Sequence, residues 1–110
     1  MLTDQEMLNI AERFIKRKTD KDIEAVILTE ETIKKPYGNI YYCQSKEFLL
    51  TRDFNKVLTG TPPFLVEKKT GRVVSFGTRM RLENYLQAYE NGTMSTALNT
   101  YWYPDEDRFE

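Results

Sequence analysis

The stretch Phe64-Leu65-Val66-Glu67-Lys68-Lys69-Thr70-Gly71-Arg72-Val73-Val74-Ser75-Phe76 decides the fold. Two apolar runs flank a polar segment, and Gly71 can take the positive φ that closes a three- to five-residue hairpin loop. After Gly77-Thr78, the residues Leu82, Tyr85, Leu86 and Tyr89 recur at i, i+3, i+4 and i+7, which is one face of a helix. The spacing predicts a β-hairpin running into an amphipathic helix over about residues 79–90, stopped at Asn91-Gly92 by a left-handed cap. Within the hairpin, Phe64, Val66, Val74 and Phe76 share the even-numbered phase, while Leu65 and Val73 break a one-sided alternation. The expected hairpin is central, with one face under the helices and the other partly covered.

Working outward toward the N-terminus, Thr3 with Glu6 fits a capping box, in which hydroxyl and carboxylate each meet an orphaned backbone donor. Met7, Leu8, Ala11, Phe14 and Ile15 form a helical stripe, and Lys16, Arg17 and Lys18 suit the negative end of a helix dipole. A first helix is expected over residues 4–18. Residues 23–29 are rich in β-branched side chains and read as a largely buried strand. Pro36-Tyr37-Gly38-Asn39 signals a turn, and Ile40-Tyr41-Tyr42-Cys43-Gln44 a second strand. Residues 46–55 admit either a short helical turn or a strand. Gly60-Thr61-Pro62 forms a rigid entry to the hairpin, where proline blocks ladder bonding.

The expected fold is α+β: an about four-stranded, mostly antiparallel sheet with two helices packed on one face. The domain spans residues 1–92. Residues 93–110 form a tail, with Tyr101-Trp102-Tyr103-Pro104 followed by four acids against one base. That tail either packs its aromatics back onto the domain or presents them to a partner, since aromatic residues serve both cores and interfaces.

Composition narrows the function classes. The 110 residues are 40% hydrophobic and 30% charged, an ordinary globular balance. Sixteen basic against seventeen acidic residues leave a net charge of −1, so there is no general attraction to nucleic acid or anionic lipid. The absence of histidine removes the commonest general base and transition-metal ligand. Cys43 stands alone, so neither an internal disulfide nor a thiolate zinc site is expected. No apolar run nears the roughly 20 residues that cross a bilayer. The start of the chain lacks a signal-peptide pattern. The expectation is a cytoplasmic protein that is not an enzyme and uses no metal or cofactor.

Motifs that carry chemistry elsewhere have plainer readings here. Lys69-Thr70-Gly71 spells a β-lactamase motif, but Ser45, Ser75 and Ser95 are followed three places on by Phe48, Thr78 and Leu98. The nucleophile motif is therefore missing, and the triplet reads as a turn. Glu30 with Glu31, Asp105 with Asp107, and Glu67 with Glu83 pair carboxylates, yet lie in hydrophilic stretches that favour a solvated surface. Arg72, Arg79 and Arg81 with Lys68 and Lys69 put positive charge around the hairpin, read as rim charge.

Lys35-Pro36-Tyr37-Gly38, the tyrosine-rich residues 40–43, the Gly60-Thr61-Pro62 entry, Val66-Glu67-Lys68-Lys69-Thr70-Gly71 and Phe76-Gly77-Thr78 together resemble the immunity protein 35 family. That family includes YrhB-like heat-inducible proteins and is associated with bacterial polymorphic toxins. The resemblance covers about residues 5–92. Asn39 departs from it, standing where an aromatic is expected, so its loss must be compensated nearby by Tyr37 or Tyr41 if that position packs the core. The resemblance implies an immunity protein that binds a cognate toxin and occludes its active site. The alternative it implies is a heat-stress holdase with an exposed apolar patch. The expected contact residues are Tyr101, Trp102 and Tyr103 as anchor and Asp105, Glu106 and Asp107 as steering charge; against a nuclease the acids would mimic phosphates. A deep pocket lined by Tyr37, Tyr41 and Glu67 would instead mark a small-ligand or catalytic function.

Overall fold

The computed structural model describes residues 1–58, 62–94 and 99–110. Residues 59–61 of the hairpin entry, and residues 95–98 of the tail, lie outside the described residues. The first helix, α1 (Asp4–Lys18), opens on the full capping box: Glu6 N–H donates to Thr3 Oγ1 at 3.1 Å and Thr3 N–H to Glu6 Oε1 at 2.9 Å. Strand β1 (Ala25–Ile27) follows, then β2 (Ile33–Lys35), β3 (Gly38–Tyr41) and β4 (Cys43–Ser45). Helix α2 (Lys46–Thr51) is capped by Ser45, whose Oγ accepts from Phe48 N–H at 3.2 Å. The hairpin is β5 (Phe64–Glu67) and β6 (Val73–Ser75), and α3 (Leu82–Asn91) ends at Gly92 as expected. The chain closes with β7 (Tyr101–Tyr103) and β8 (Arg108–Phe109).

Six strands form one antiparallel sheet in the order β2-β3-β5-β6-β7-β8, and β1 pairs with β4 in a separate two-stranded sheet. Register ties Ile40 to Leu65, Leu65 to Val74 and Val74 to Tyr101 on one face, and Val66 to Val73 and Val73 to Trp102 on the other. The second set packs against Met7, Ala11, Phe14 and Ile15 of α1, together with Tyr41 and Phe64. The first set packs against Leu82, Tyr85, Leu86 and Tyr89 of α3. Helices α1 and α3 therefore cover opposite faces.

This overturns the expected about four-stranded sheet with two helices on one face, while the α+β class holds. The physical reason lies in the residues that broke the alternation. Leu65 and Val73 are both fully buried, because a central strand covered on both sides reads as a continuous apolar run. The tail supplies two of the added strands and residues 33–35 a third, β2, while the expected strand over residues 23–29 leaves the main sheet to pair with β4. Trp102 is 1% exposed among Phe14, Val73 and Phe109. The expected strand over residues 40–44 is broken at Tyr42: its first half stays in the main sheet, and its second half leaves to pair with β1.

Gly38 shows why the Pro-Tyr-Gly turn needs its glycine. A Cβ there would lie 2.2 Å from the Val66 carbonyl oxygen, a backbone atom that cannot step aside without moving β5. Beside it, buried Asn39 donates from Nδ2 to Tyr41 Oη at 3.1 Å and to Asp4 Oδ1 at 3.3 Å. With Asp4 and Tyr41 as acceptors, this polar side chain remains satisfied under α1.

Candidate functional site

Antiparallel pairing brings three turns to one end of the main sheet: Pro36-Tyr37 between β2 and β3, residues 68–72 between β5 and β6, and Pro104 to Asp107 between β7 and β8. Between them lies a cleft of about 920 Å³ whose walls include Tyr37, Glu67, Lys68, Lys69, Arg72, Tyr89 and Tyr103. Glu67, last residue of β5, points to the α3 side. Arg72, returning across the turn, grips it with Nε donating to Oε1 at 2.7 Å and Nη2 to Oε2 at 3.0 Å. This bidentate fork is the strong form of an ion pair, and the Glu67 side chain is only 13% exposed. Thr70 Oγ1 donates to the same carboxylate at 3.2 Å, and the Tyr89 hydroxyl donates to it from α3.

The electrostatics follow from those contacts. Burial pushes the Glu67 carboxyl up, but hydrogen bonds from Arg72 and Tyr89 outweigh it and hold the group below its usual value. Burial raises the hydroxyls of Tyr37 and Tyr89, and acceptor carboxylates raise them further. Both tyrosines therefore stay protonated donors. Tyr37 Oη donates to Glu90 Oε2 at 2.6 Å, and its ring lies 5.1 Å from that of Tyr89. The Arg72 guanidinium stacks 4.1 Å from the Tyr101 ring centroid, and Arg108 lies 4.4 Å from that of Tyr103. The cleft thus shows aromatic faces and a neutralised ion pair, with Lys68, Lys69 and Asp105 carrying charge at its edge.

The six tail residues expected to make contact separate into two groups. Tyr103, Asp105 and Glu106 line the cleft. Trp102 is buried on the α1 face, where its Nε1 donates to Asp107 Oδ1 at 3.0 Å. Asp107 also accepts from Arg17 Nε at 2.8 Å, and Arg13 Nη2 donates to the Pro104 carbonyl at 2.9 Å. These bonds latch the last turn to α1. Tyr101 is half-buried on the α3 face beneath Arg72. The tail carboxylates are largely paired within the chain: Glu106 and Glu110 both take Arg108, and Asp107 takes Arg17.

Of the three residues that would mark a ligand pocket, Tyr37 and Glu67 line the cleft, while Tyr41 lies beneath α1. The carboxylate of Glu67 is joined to Arg72, not to Glu83. Sequence reading assigned Tyr89 to the core and Arg72 to the rim, and it missed their meeting at Glu67. The available signal was an opposite-charge pair five residues apart, astride a glycine turn. Away from the cleft, Leu50 and Phe54 are 74% and 78% exposed, with the Phe48 ring 5.6 Å from Phe54. Cys43 is half-buried in β4. Among the described residues no group of three or more His, Cys, Asp or Glu side chains could hold a metal. None of the helices described is long and apolar enough to cross a membrane.

Fold and site together define a small α+β protein with a tyrosine-lined cleft at the turn end of its main sheet. The uncharacterized protein YrhB of Escherichia coli K12 is 38% identical over 72 residues, covering 64% of this chain and 73% of YrhB. The chain belongs to the YrhB family. A scan against models of known protein families finds no match. No solved structure matches either.

Proposed function

We propose that this protein is an immunity protein that docks on a cognate toxin in the cytoplasm and covers the toxin's active site. The resemblance to the immunity protein 35 family motivates that role. The observation that carries it is the gathering of Tyr103, Asp105 and Glu106 from the tail with Tyr37 and Tyr89 on one open cleft. Tyrosines at the centre and charges at the edge are the usual anatomy of a protein interface. The reading involves no cofactor, no membrane and no direct contact with nucleic acid. The acidic tail contributes Asp105 as a steering charge, whereas its other carboxylates hold arginines of the same chain.

The test is capture from cells that express the neighbouring open reading frame. One stoichiometric partner, whose toxicity disappears on co-expression and returns with Tyr37→Ala and Tyr103→Ala, is the expected result. Neutralisation untouched by both changes would remove the cleft from the mechanism. A second reading, a heat-stress holdase, draws on exposed Leu50 and Phe54, since apolar side chains that far into water suit transient binding of unfolded clients. Suppression of aggregation in unrelated clients, lost with Leu50→Ser and Phe54→Ser, would favour it.

A further inference from the structure

We infer that the cleft accepts an extended protein segment carrying an aromatic side chain beside acidic residues. This rests on the cleft being the contact surface proposed above. The argument begins with which charges are already matched. Glu67 is matched by Arg72, and Glu106 shares Arg108 with Glu110. Lys68, Lys69 and Asp105 have no ion-pair partner among the described residues, and neither has Glu90 beside Tyr37, so the cationic excess is local to the residue 68–72 turn, where the two lysines stand together. Arg72 is committed to Glu67 and to a hydrogen bond with Tyr103, so Lys68 and Lys69 are the cations left to a ligand on this turn. The cationic excess favours carboxylates entering along the residue 68–72 turn.

The aromatic requirement comes from the tyrosine wall. Tyr37 and Tyr89 are already ring neighbours with their hydroxyls tied to Glu90 and Glu67, so their exposed faces offer apolar area without unsatisfied polar atoms. An aromatic ring laid against such a pair gains offset or edge-to-face contact. At about 920 Å³ the cleft is near the upper end of compact-ligand sites, roughly 300–1,000 Å³. Its walls come from three separate turns, which suits a segment passing between them.

The experiment titrates the full-length protein with three capped peptides and follows backbone amide shifts by NMR. One peptide alternates aspartate with phenylalanine, the second replaces each aspartate by lysine, and the third replaces each phenylalanine by serine. Saturable shifts centred on Tyr37, Lys68, Lys69 and Tyr89 are expected with the first peptide alone. Affinity should fall about tenfold or more in Lys68→Glu/Lys69→Glu, and should weaken with added salt. The single change at exposed Lys69, Lys69→Glu, keeps the test valid if the double variant loses its fold. Equal binding of the lysine peptide, binding indifferent to charge reversal, or no saturable binding would overturn the inference. A toxin captured at full strength by the folded double variant would also overturn it and leave the immunity role standing. Peptide binding in a protein that captures no toxin would support the inference and count against that role.

Discussion

Single atoms decide several positions. Replacing Gly38 by alanine places a methyl 2.2 Å from the Val66 carbonyl, so Gly38→Ala should cost about 1–3 kcal/mol in urea unfolding as β3 and β5 separate. Glu67 links stability to pH. Its folded value lies below the usual 4.5, so its contribution is present above that pH and fades as acid titrates it through the lower value. Glu67→Gln should destabilise by about 1–3 kcal/mol at neutral pH. It should also flatten the acid limb of a stability–pH curve; an unchanged limb would mean that Glu67 is not the group responsible. Tyr37 and Tyr89 work in the opposite direction. Their values are raised above the usual 10.0, so what they add holds below that pH and is lost as the pH rises past it.

Secondary elements turn those contacts into architecture. α1 was legible to the residue, because a capping box and a basic last turn mark its ends in the sequence. α3 begins at Leu82, later than the expected 79, since residues 78–80 form a bend and Tyr85 Oη accepts from Arg79 N–H at 3.2 Å. Residues 46–55 became a short helix and a 3-10 turn, an outcome left open by three apolar residues in a row. The closing strands were the least legible element, since three residues and then two make no periodic signal of their own. Their anchor is Trp102, and Trp102→Ala should cost about 3–5 kcal/mol by thermal or chemical unfolding. Asp107→Ala removes the ion pair to Arg17 and the acceptor of the Trp102 indole N–H but leaves the ring packed, and should cost less than Trp102→Ala.

At the scale of the whole molecule, two helices clamp one sheet from opposite sides, and the turns at one end of that sheet frame the cleft. Leu50 and Phe54 lie outside that clamp, so Leu50→Ser and Phe54→Ser should each leave stability within about 0.5 kcal/mol. A larger loss would place them inside a packed core. The sequence by itself determined the α+β class, the first helix and the central hairpin, because capping, helical spacing and turn chemistry are local and are written in neighbouring residues. It also placed Lys68 and Lys69 on the hairpin loop and Asp105 and Glu106 in the closing tail. Only the tertiary structure decided that α1 and α3 take opposite faces, that Trp102 is core, and that Tyr37, Glu67, Arg72 and Tyr89 meet. Those outcomes depend on strand order and on which face each strand turns inward, and both are settled by pairings between residues distant along the chain.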